Sequence, residues 1–298
     1  MTTLVDKDEL VVAEQRRRPN KQREWTVGRV VVSIVAILGA VMFLLPLWFM
    51  FRTSVMSLND AFYVPIRWLP NRWLWSNYSD AAKFVQLGHY YVNSVIVATL
   101  VTIGAVVTSS ITAYGFSMLR ARGRDALFLM VITGLMIPSV VTMVPTYVIF
   151  RQIGWLNTWL PLTVPSWFGG GAFSIFLLRQ FYRTIPRELR EAALVDGASE
   201  FRIYRQIIVP LALPGHAAVA IFAFLWSWND LFGPLIYLNS QSLQTLPIAL
   251  ASFVNTQSVT QWQWMMAATV LAMLPCVVVF LVAQKYFIRG IVLSGLKG

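Results

Sequence analysis

Six long apolar runs divide the chain and predict six membrane-spanning helices. Five of the runs contain no charged residue, and the sixth contains only Asp230. Because each residue of a helix adds about 1.5 Å, some 20 apolar residues cross a hydrocarbon core of about 30 Å. The runs lie within residues 30–51, 91–119, 126–150, 152–178, 213–238 and 265–284.

The composition agrees with this pattern and fixes the class of protein. Of the 298 residues, 57% are hydrophobic and 12% are charged, and the mean hydropathy is +0.62. A water-soluble domain of this size could not cover so much apolar surface with polar groups. The first run is longer than a signal-peptide core, and Pro46, Trp48 and Phe49 stand where small cleavage-site residues would be required, so we interpret it as a retained span. The sequence predicts an all-α integral membrane protein.

The basic residues predict the orientation of the chain. Alternate connecting segments contain 19 of the 24 Lys and Arg residues. Short basic segments resist translocation, so these segments, with both termini, are expected in the cytoplasm. Two regions follow, a basic and disordered cytoplasmic tail over 1–29 and a six-helix transmembrane domain over 30–298. The same topology explains the net charge of +11 without nucleic-acid binding, since no separate domain carries the basic residues.

The chain contains little that supports chemistry of its own. Its two histidines, His89 and His216, fall on opposite sides of the predicted membrane, and the single cysteine, Cys276, lies in the last span. These residues predict no metal site and no catalytic pair. No phosphate-binding G-x-x-x-x-G-K-[ST] loop is present, and the glycines of 169–171 fit a bend or a close helix contact. The chain is therefore expected not to be an enzyme and to contain no cofactor.

The longest predicted inward loop, residues 184–212, is the most informative part of the sequence, and we call it the coupling segment. Its pattern predicts two short helices joined by a bend, because Gly197 favours a left-handed conformation and Ser199 can cap the second helix. In that second helix, Phe201, Tyr204 and Ile208 are expected to share one face.

The first half of the coupling segment offers a docking surface. Small side chains let another surface approach, and two carboxylates suit a basic partner. The candidate docking residues are Glu191, Ala192, Ala193, Asp196 and Gly197. An amphipathic connector lying on lipid headgroups is the alternative.

The spacing of E-A-A, D-G-A and a following proline at 210 resembles the EAA loop of permease subunits from bacterial ABC importers. The family usually ends this motif with Leu-Pro, and Val209 here replaces the leucine. AYGFSMLRARGRD at 113–125, WSWND at 226–230 and SGLKG at 294–298 resemble the carbohydrate-importer branch, which includes maltose and glycerol-phosphate permeases. The resemblance covers nearly everything from the first span onward.

This resemblance implies a function and a set of partners. The chain would be a type I importer permease of the bacterial inner membrane, forming half of the pore for a sugar. Two separate ATPase subunits would bind ATP and Mg²⁺ and grip the coupling segment. A second homologous permease and an extracytoplasmic sugar-binding protein would complete the assembly.

The candidate substrate pathway is the W-x-W-N-D sequence, in which Trp226, Trp228, Asn229 and Asp230 could stack on sugar rings and bond hydroxyls. Asp230 is the only acid inside a predicted span and is not expected to face lipid. It either lines a pore, or has a structural role as the cap of a helix near Gly233 or as a contact to another subunit.

Two other functions remain as alternatives. A secondary transporter would normally require more internal ionisable groups or an inverted repeat. An integral membrane enzyme would require a cluster of catalytic groups at one depth.

Overall fold

The computed structural model describes residues 27–255 and 261–295, and over these residues every regular element is a helix. The basic tail predicted for residues 1–29 lies, up to residue 26, outside the described residues. We number the α-helices α1 Val27–Ser54, α2 Leu58–Ala61, α3 Ser76–Phe84, α4 Leu87–Met118, α5 Arg124–Thr133, α6 Ser139–Gln152, α7 Leu160–Thr163, α8 Ala172–Arg183, α9 Arg187–Val195, α10 Glu200–Ile203, α11 Val209–Leu211, α12 Leu213–Trp228, α13 Phe232–Tyr237, α14 Leu246–Asn255 and α15 Trp262–Gly295. Short 3₁₀ turns occupy Gly134–Met136, Val164–Trp167 and Gln241–Leu243, and Tyr204–Ile208 is a π-helix.

The described residues up to Phe49 form one unit, and those from Met50 form another. In the first unit α1 exposes apolar side chains on all sides, among them Val32 and Phe43. A helix that is apolar all round and exposed in an isolated chain is typical of a segment surrounded by lipid.

Four stretches of helix are long and apolar enough to cross a membrane, namely Val30–Ser54, Leu87–Met118, Leu160–Arg183 and Trp262–Gln284. Two further pairs qualify when each bent pair is taken as one span. Arg124–Met136 meets Ser139–Gln152 at 99°, and Glu200–Leu211 meets Leu213–Trp228 at 78°. Counted in this way, the described residues contain up to six candidate spans by length and composition, and six is the number that the apolar runs predict.

Three predicted spans differ from the structure in their boundaries. The run over 126–150 is broken before Pro138, whose backbone is extended (ψ 133°), because a proline disfavours helix at the residue before it. The run over 152–178 becomes short turns followed by α8, and the run over 213–238 ends its first helix at Trp228. Apolar composition locates a span but does not show where its helix breaks.

Small residues allow the helices of the second unit to approach closely. Gly169, Gly170 and Gly171 all have positive φ. A methyl group at Gly170 would lie 2.4 Å from the Ala105 carbonyl oxygen on α4. The glycine run therefore provides both the bend and the close contact expected of it.

Two apolar clusters fill the interior of this unit. One joins α3, α4, α12, α14 and α15 around Leu87, Leu246 and Phe253. The other joins α4, α8 and α12 to the coupling segment around Leu178, Ile203 and Ile208. The coupling segment is thus packed onto the long helices.

Candidate functional site

The coupling segment folds as the predicted pair of helices joined by a bend. Pro186 precedes α9 with an extended backbone (ψ 131°), and Gly197 ends it with φ +79°. Ser199 caps α10, since its hydroxyl accepts a 3.3 Å hydrogen bond from the Arg202 N–H group.

The three residues of the second helix that were predicted to share one face, Phe201, Tyr204 and Ile208, differ in burial. Phe201 is 68% exposed, whereas Ile203 and Ile208 are fully buried. The reason is the π-helix, in which the N–H group of Val209 bonds to the carbonyl of Tyr204, five residues earlier. This wider turn places residues 203 and 208 on one face, and such turns occur often at functional sites.

The candidate docking residues separate into two groups. Glu191, Ala192, Asp196 and Gly197 are exposed around the turn between α9 and α10. Ala193 is 9% exposed and belongs to the second apolar cluster. Its methyl group faces inward and holds α9 against the long helices.

Polar side chains attach the second helix of the coupling segment to the end of α4. The hydroxyl of Tyr114 donates a 2.6 Å hydrogen bond to Oε2 of Glu200. Nε of Arg190 donates to the same oxygen at 3.2 Å, and a second guanidinium nitrogen pairs with Oε1. These hydrogen bonds to Glu200 raise the pKa of Arg190, so the guanidinium remains charged and connects α9 to α10.

A second attachment is buried deeper. The hydroxyl of Ser110 on α4 lies 2.7 Å from the hydroxyls of both Tyr182 and Tyr204 and 2.8 Å from Nε2 of His216. Nδ1 of the same histidine lies 2.9 Å from the Ala212 carbonyl oxygen. We call Ser110, Tyr182, Tyr204 and His216 the polar junction.

A cavity of about 740 Å³ opens between α6, α12 and α13. Ser139, Thr142 and Thr146 supply hydroxyls from α6, at spacings of three and four that place them on one face. The opposite wall includes Trp226, Asn229, Asp230 and Tyr237. Hydroxyls, an amide, a carboxylate and aromatic rings therefore surround one space.

Asp230 both caps a helix and lines this cavity. Its Oδ1 accepts a 3.0 Å hydrogen bond from the N–H group of Gly233 in the first turn of α13. A side chain at Gly233 would meet Oδ2 at 2.4 Å. The two roles proposed for Asp230 are compatible.

The two tryptophans of the W-x-W-N-D sequence have different environments. Trp226 is 81% exposed and lines the cavity. Trp228 is 3% exposed, stacks on Phe224 and donates from its indole N–H to the Ala272 carbonyl at 3.1 Å. Trp228 therefore packs the interior and does not line the large cavity.

Among residues 27–255 and 261–295, no three His, Cys, Asp or Glu side chains come together as metal ligands would. Nε2 of His89 lies 2.6 Å from the carbonyl of Ser242, and His216 lies in the polar junction. The described histidines thus bond to backbone carbonyls, to hydroxyls or to the Asn93 amide.

Sequence reasoning missed several of these residues, although signals were present. The hydroxyl side chains at 139, 142 and 146 repeat with helical spacing in an apolar run, and this repeat predicts a polar face. Ser110 and His216 are polar residues in apolar spans, where an unpaired group is costly. Nothing local in the sequence pairs Tyr204 with Ser110, which lies 94 positions away.

The fold and these sites together define a helical membrane transport subunit, with packed spans, a polar cavity and an exposed two-helix segment. Residues 105–292 match the model of the family described as binding-protein-dependent transport system inner membrane component. The chain belongs to this family, which comprises transport permease subunits and not enzymes.

Curated relatives agree over most of the chain. The sn-glycerol-3-phosphate transport system permease protein UgpE of Agrobacterium fabrum is 33% identical over 274 residues, which cover 89% of this chain and 96% of the relative. The protein of that name from Rhizobium meliloti is 31% identical, and the match covers 89% of this chain and 96% of the relative. The one from Yersinia pestis is also 31% identical, and the match covers 87% of this chain and 94% of the relative.

A solved structure shows the same fold. It is described as the crystal structure of a bacterial ABC transporter involved in the import of the acidic polysaccharide alginate. The TM-score is 0.77 at 20% identity, and the match covers 96% of this chain and all of the other. The type I importer permease fold is thereby established for this chain.

Proposed function

We propose that this chain is one of two membrane subunits of an ATP-driven carbohydrate importer and that a separate ATPase drives it through the coupling segment. The observation that carries this proposal is the exposed turn around Glu191 and Gly197, which Tyr114 and Glu200 attach to a long helix. An exposed, rigidly mounted turn can transmit force, whereas a mobile loop would absorb it.

The turn has the shape and charge of a docking element. Glu191 and Asp196 present carboxylates, and Ala192 and Gly197 leave space for close approach. Ala193 supports the turn from within. The partner surface is a groove on the ATPase lined by basic side chains.

The distribution of basic residues supports a cytoplasmic position for the coupling segment and both termini. The ATPase, which binds ATP and Mg²⁺, then lies on the cytoplasmic face. A second permease completes the pore, and an extracytoplasmic binding protein delivers the substrate to the opposite face of the inner membrane.

The cavity is the proposed substrate pathway of this subunit. The exposed ring of Trp226 can stack on a sugar ring, and Asn229, Asp230 and the hydroxyls of α6 can bond its hydroxyl groups. No Lys, Arg or His is among the described residues that line the cavity. A phosphorylated substrate such as the one that names the curated relatives would therefore need its cation from another subunit, and this cavity suits an uncharged polyhydroxylated substrate better.

The mechanism is alternating access. Closure of the ATPase subunits on ATP draws the coupling segments together, and the rigid attachment to α4 and α12 changes the packing around the cavity. Differential binding of the ATPase to the two states supplies the energy, and a loose joint would lose it. Hydrolysis then restores the inward-facing state.

Reconstitution tests the proposal. The chain is purified with a candidate second permease, ATPase and extracytoplasmic binding protein and placed in vesicles with maltose or sn-glycerol 3-phosphate as probes. We expect uptake of one probe only with ATP and the whole assembly. Ion-driven uptake by this chain alone would contradict the proposal and favour a secondary transporter.

A further inference from the structure

The polar junction joins parts of the chain that lie on either side of a sharp bend. Tyr204 precedes the 78° bend between Glu200–Leu211 and Leu213–Trp228, and His216 follows it. Both side chains meet the hydroxyl of Ser110, at 2.7 and 2.8 Å. Ser110 belongs to α4, a third element that is 32 residues long.

The hydrogen atoms of the junction can be assigned from its partners. Nδ1 of His216 faces the Ala212 carbonyl, which only accepts, so Nδ1 carries a proton; when the ring is neutral, Nε2 is then an acceptor. Nε2 lies 2.8 Å from Ser110 and 3.0 Å from Tyr182, and it can accept from either hydroxyl.

Two arrangements of protons therefore give every hydroxyl an acceptor. Either Ser110 donates to the ring and accepts from both tyrosines, or Tyr182 donates to the ring and Ser110 donates to Tyr182. Tyr204 donates to Ser110 in both arrangements. Its hydroxyl is the point at which the coupling segment enters the network.

The surroundings make these bonds strong. Ser110 is 2% exposed, Tyr182 is fully buried and His216 is 7% exposed. The second apolar cluster, with Leu178, Ile208 and other apolar residues, packs around the coupling segment here. In such a low-dielectric interior a hydrogen bond is strengthened, and an unpaired partner is costly.

We propose that the polar junction is a brace across the bend, which makes the coupling segment and α12 move as one body. The inference rests on the proposed function, because a brace matters only if the coupling segment is moved. Without it, the bend at Ala212 would act as a hinge, and movement of the segment would not reach Trp226 and Asn229 at the far end of α12. Ser110, Tyr204 and His216 are positioning residues in this account.

Spin labels can report whether movement of the coupling segment reaches the helices around the cavity. The single cysteine is replaced in a Cys276→Ser background, and labels are attached at Met136→Cys and Leu235→Cys. Both positions are exposed, and neither lines the cavity between them. Distance distributions are recorded by pulsed electron paramagnetic resonance on the whole assembly, with and without ATP, so no substrate needs to be known.

Three variants are compared with the labelled parent. Tyr204→Phe removes only the hydroxyl, Ser110→Ala removes the centre of the junction, and Tyr90→Phe is the matched control, since the Tyr90 hydroxyl bonds to none of the described residues. In the first two variants we expect the equilibrium constant between the ATP-free and the ATP-induced distance populations to fall about 2- to 30-fold, while the ATPase still binds and still hydrolyses ATP. The control keeps the parent value.

The other outcomes have distinct meanings. Parent-like distance populations in both Tyr204→Phe and Ser110→Ala would overturn the brace, and a lowered melting temperature with unchanged populations would overturn it equally, by reducing the junction to a packing role. A parent assembly that holds no ATPase, or whose distances ignore ATP, would contradict the proposed function itself.

Discussion

The phenolic oxygen of Tyr114 lies 2.6 Å from Oε2 of Glu200. This contact joins the last turns of α4 to the first turn of α10, 86 residues later in the chain. Arg190 from α9 bonds to the same carboxylate. One carboxylate therefore holds both helices of the coupling segment and a membrane-spanning helix.

Tyr114→Phe tests this contact. The variant keeps the ring, which packs against Tyr204, and loses a hydrogen bond to a charged group. We expect the free energy of unfolding in detergent to fall by about 1.5 kcal/mol. Equal stability of Tyr114→Phe and the parent would show that the bond contributes nothing, and Tyr90→Phe serves as the control.

The bend at Gly197 gives a second prediction. Its φ of +79° costs an L-residue about 1–2 kcal/mol, although a methyl group there would meet no atom within 4 Å. Gly197→Pro cannot adopt this φ at all. We expect normal membrane levels with uptake lost in Gly197→Pro and reduced in Gly197→Ala, measured in vesicles.

Gly88→Ala is the matched control for the bend, because Gly88 lies in a helix and also has free space around it. It should transport like the parent. Parent-like uptake by Gly197→Pro would refute the requirement for a left-handed residue.

The charge of Asp230 can be separated from its capping role. Asp230→Asn keeps an oxygen that can accept from the Gly233 N–H group, whereas Asp230→Ala loses it. We expect the alanine variant to lose about 1 kcal/mol of stability and the asparagine variant to lose little. Altered uptake kinetics in Asp230→Asn would then report the cavity, and unchanged kinetics would limit Asp230 to the cap.

Trp226 and Trp228 form a natural pair for comparison. Trp228→Ala should destabilise the protein by about 3–5 kcal/mol, since it empties a buried site and removes the hydrogen bond to Ala272. Trp226→Ala should change stability by less than about 0.5 kcal/mol. Uptake assays should nevertheless show a defect in Trp226→Ala. A larger loss of stability in Trp226→Ala than in Trp228→Ala would contradict the assignment of Trp228 to the interior and Trp226 to the cavity.

Much of the architecture could be predicted from the sequence, because its signals are local. Apolar runs reveal spans, and Gly197 and Ser199 indicate the bend and the cap within a few residues. The breaks at Pro138 and after Trp228 were harder to predict, since the surrounding residues remain apolar across each break. An apolar composition indicates that a segment lies in an apolar environment. It does not show where the backbone hydrogen bonds of its helix are interrupted.

The candidate sites could be predicted only in part. Exposure of Glu191 and Asp196 follows from their charge, but Ala193 could face either way, and the π-helix decided which residues of the second helix are buried. The polar junction depends on tertiary contacts between residues far apart in the chain. A polar residue such as Ser110 within an apolar span indicates that a partner is needed, but nothing local in the sequence identifies that partner.

The proposed grip of a separate ATPase on the turn between α9 and α10 can be tested by cross-linking. In a Cys276→Ser background, a single cysteine at Asp196 is cross-linked in the purified assembly and compared with one at Asp80, on the predicted outer side. We expect a disulfide or bismaleimide product with a cysteine introduced in the ATPase groove from position 196 only. An ATPase that remains bound and active while position 196 is unreactive toward it and accessible to solvent would show that the ATPase does not grip this turn.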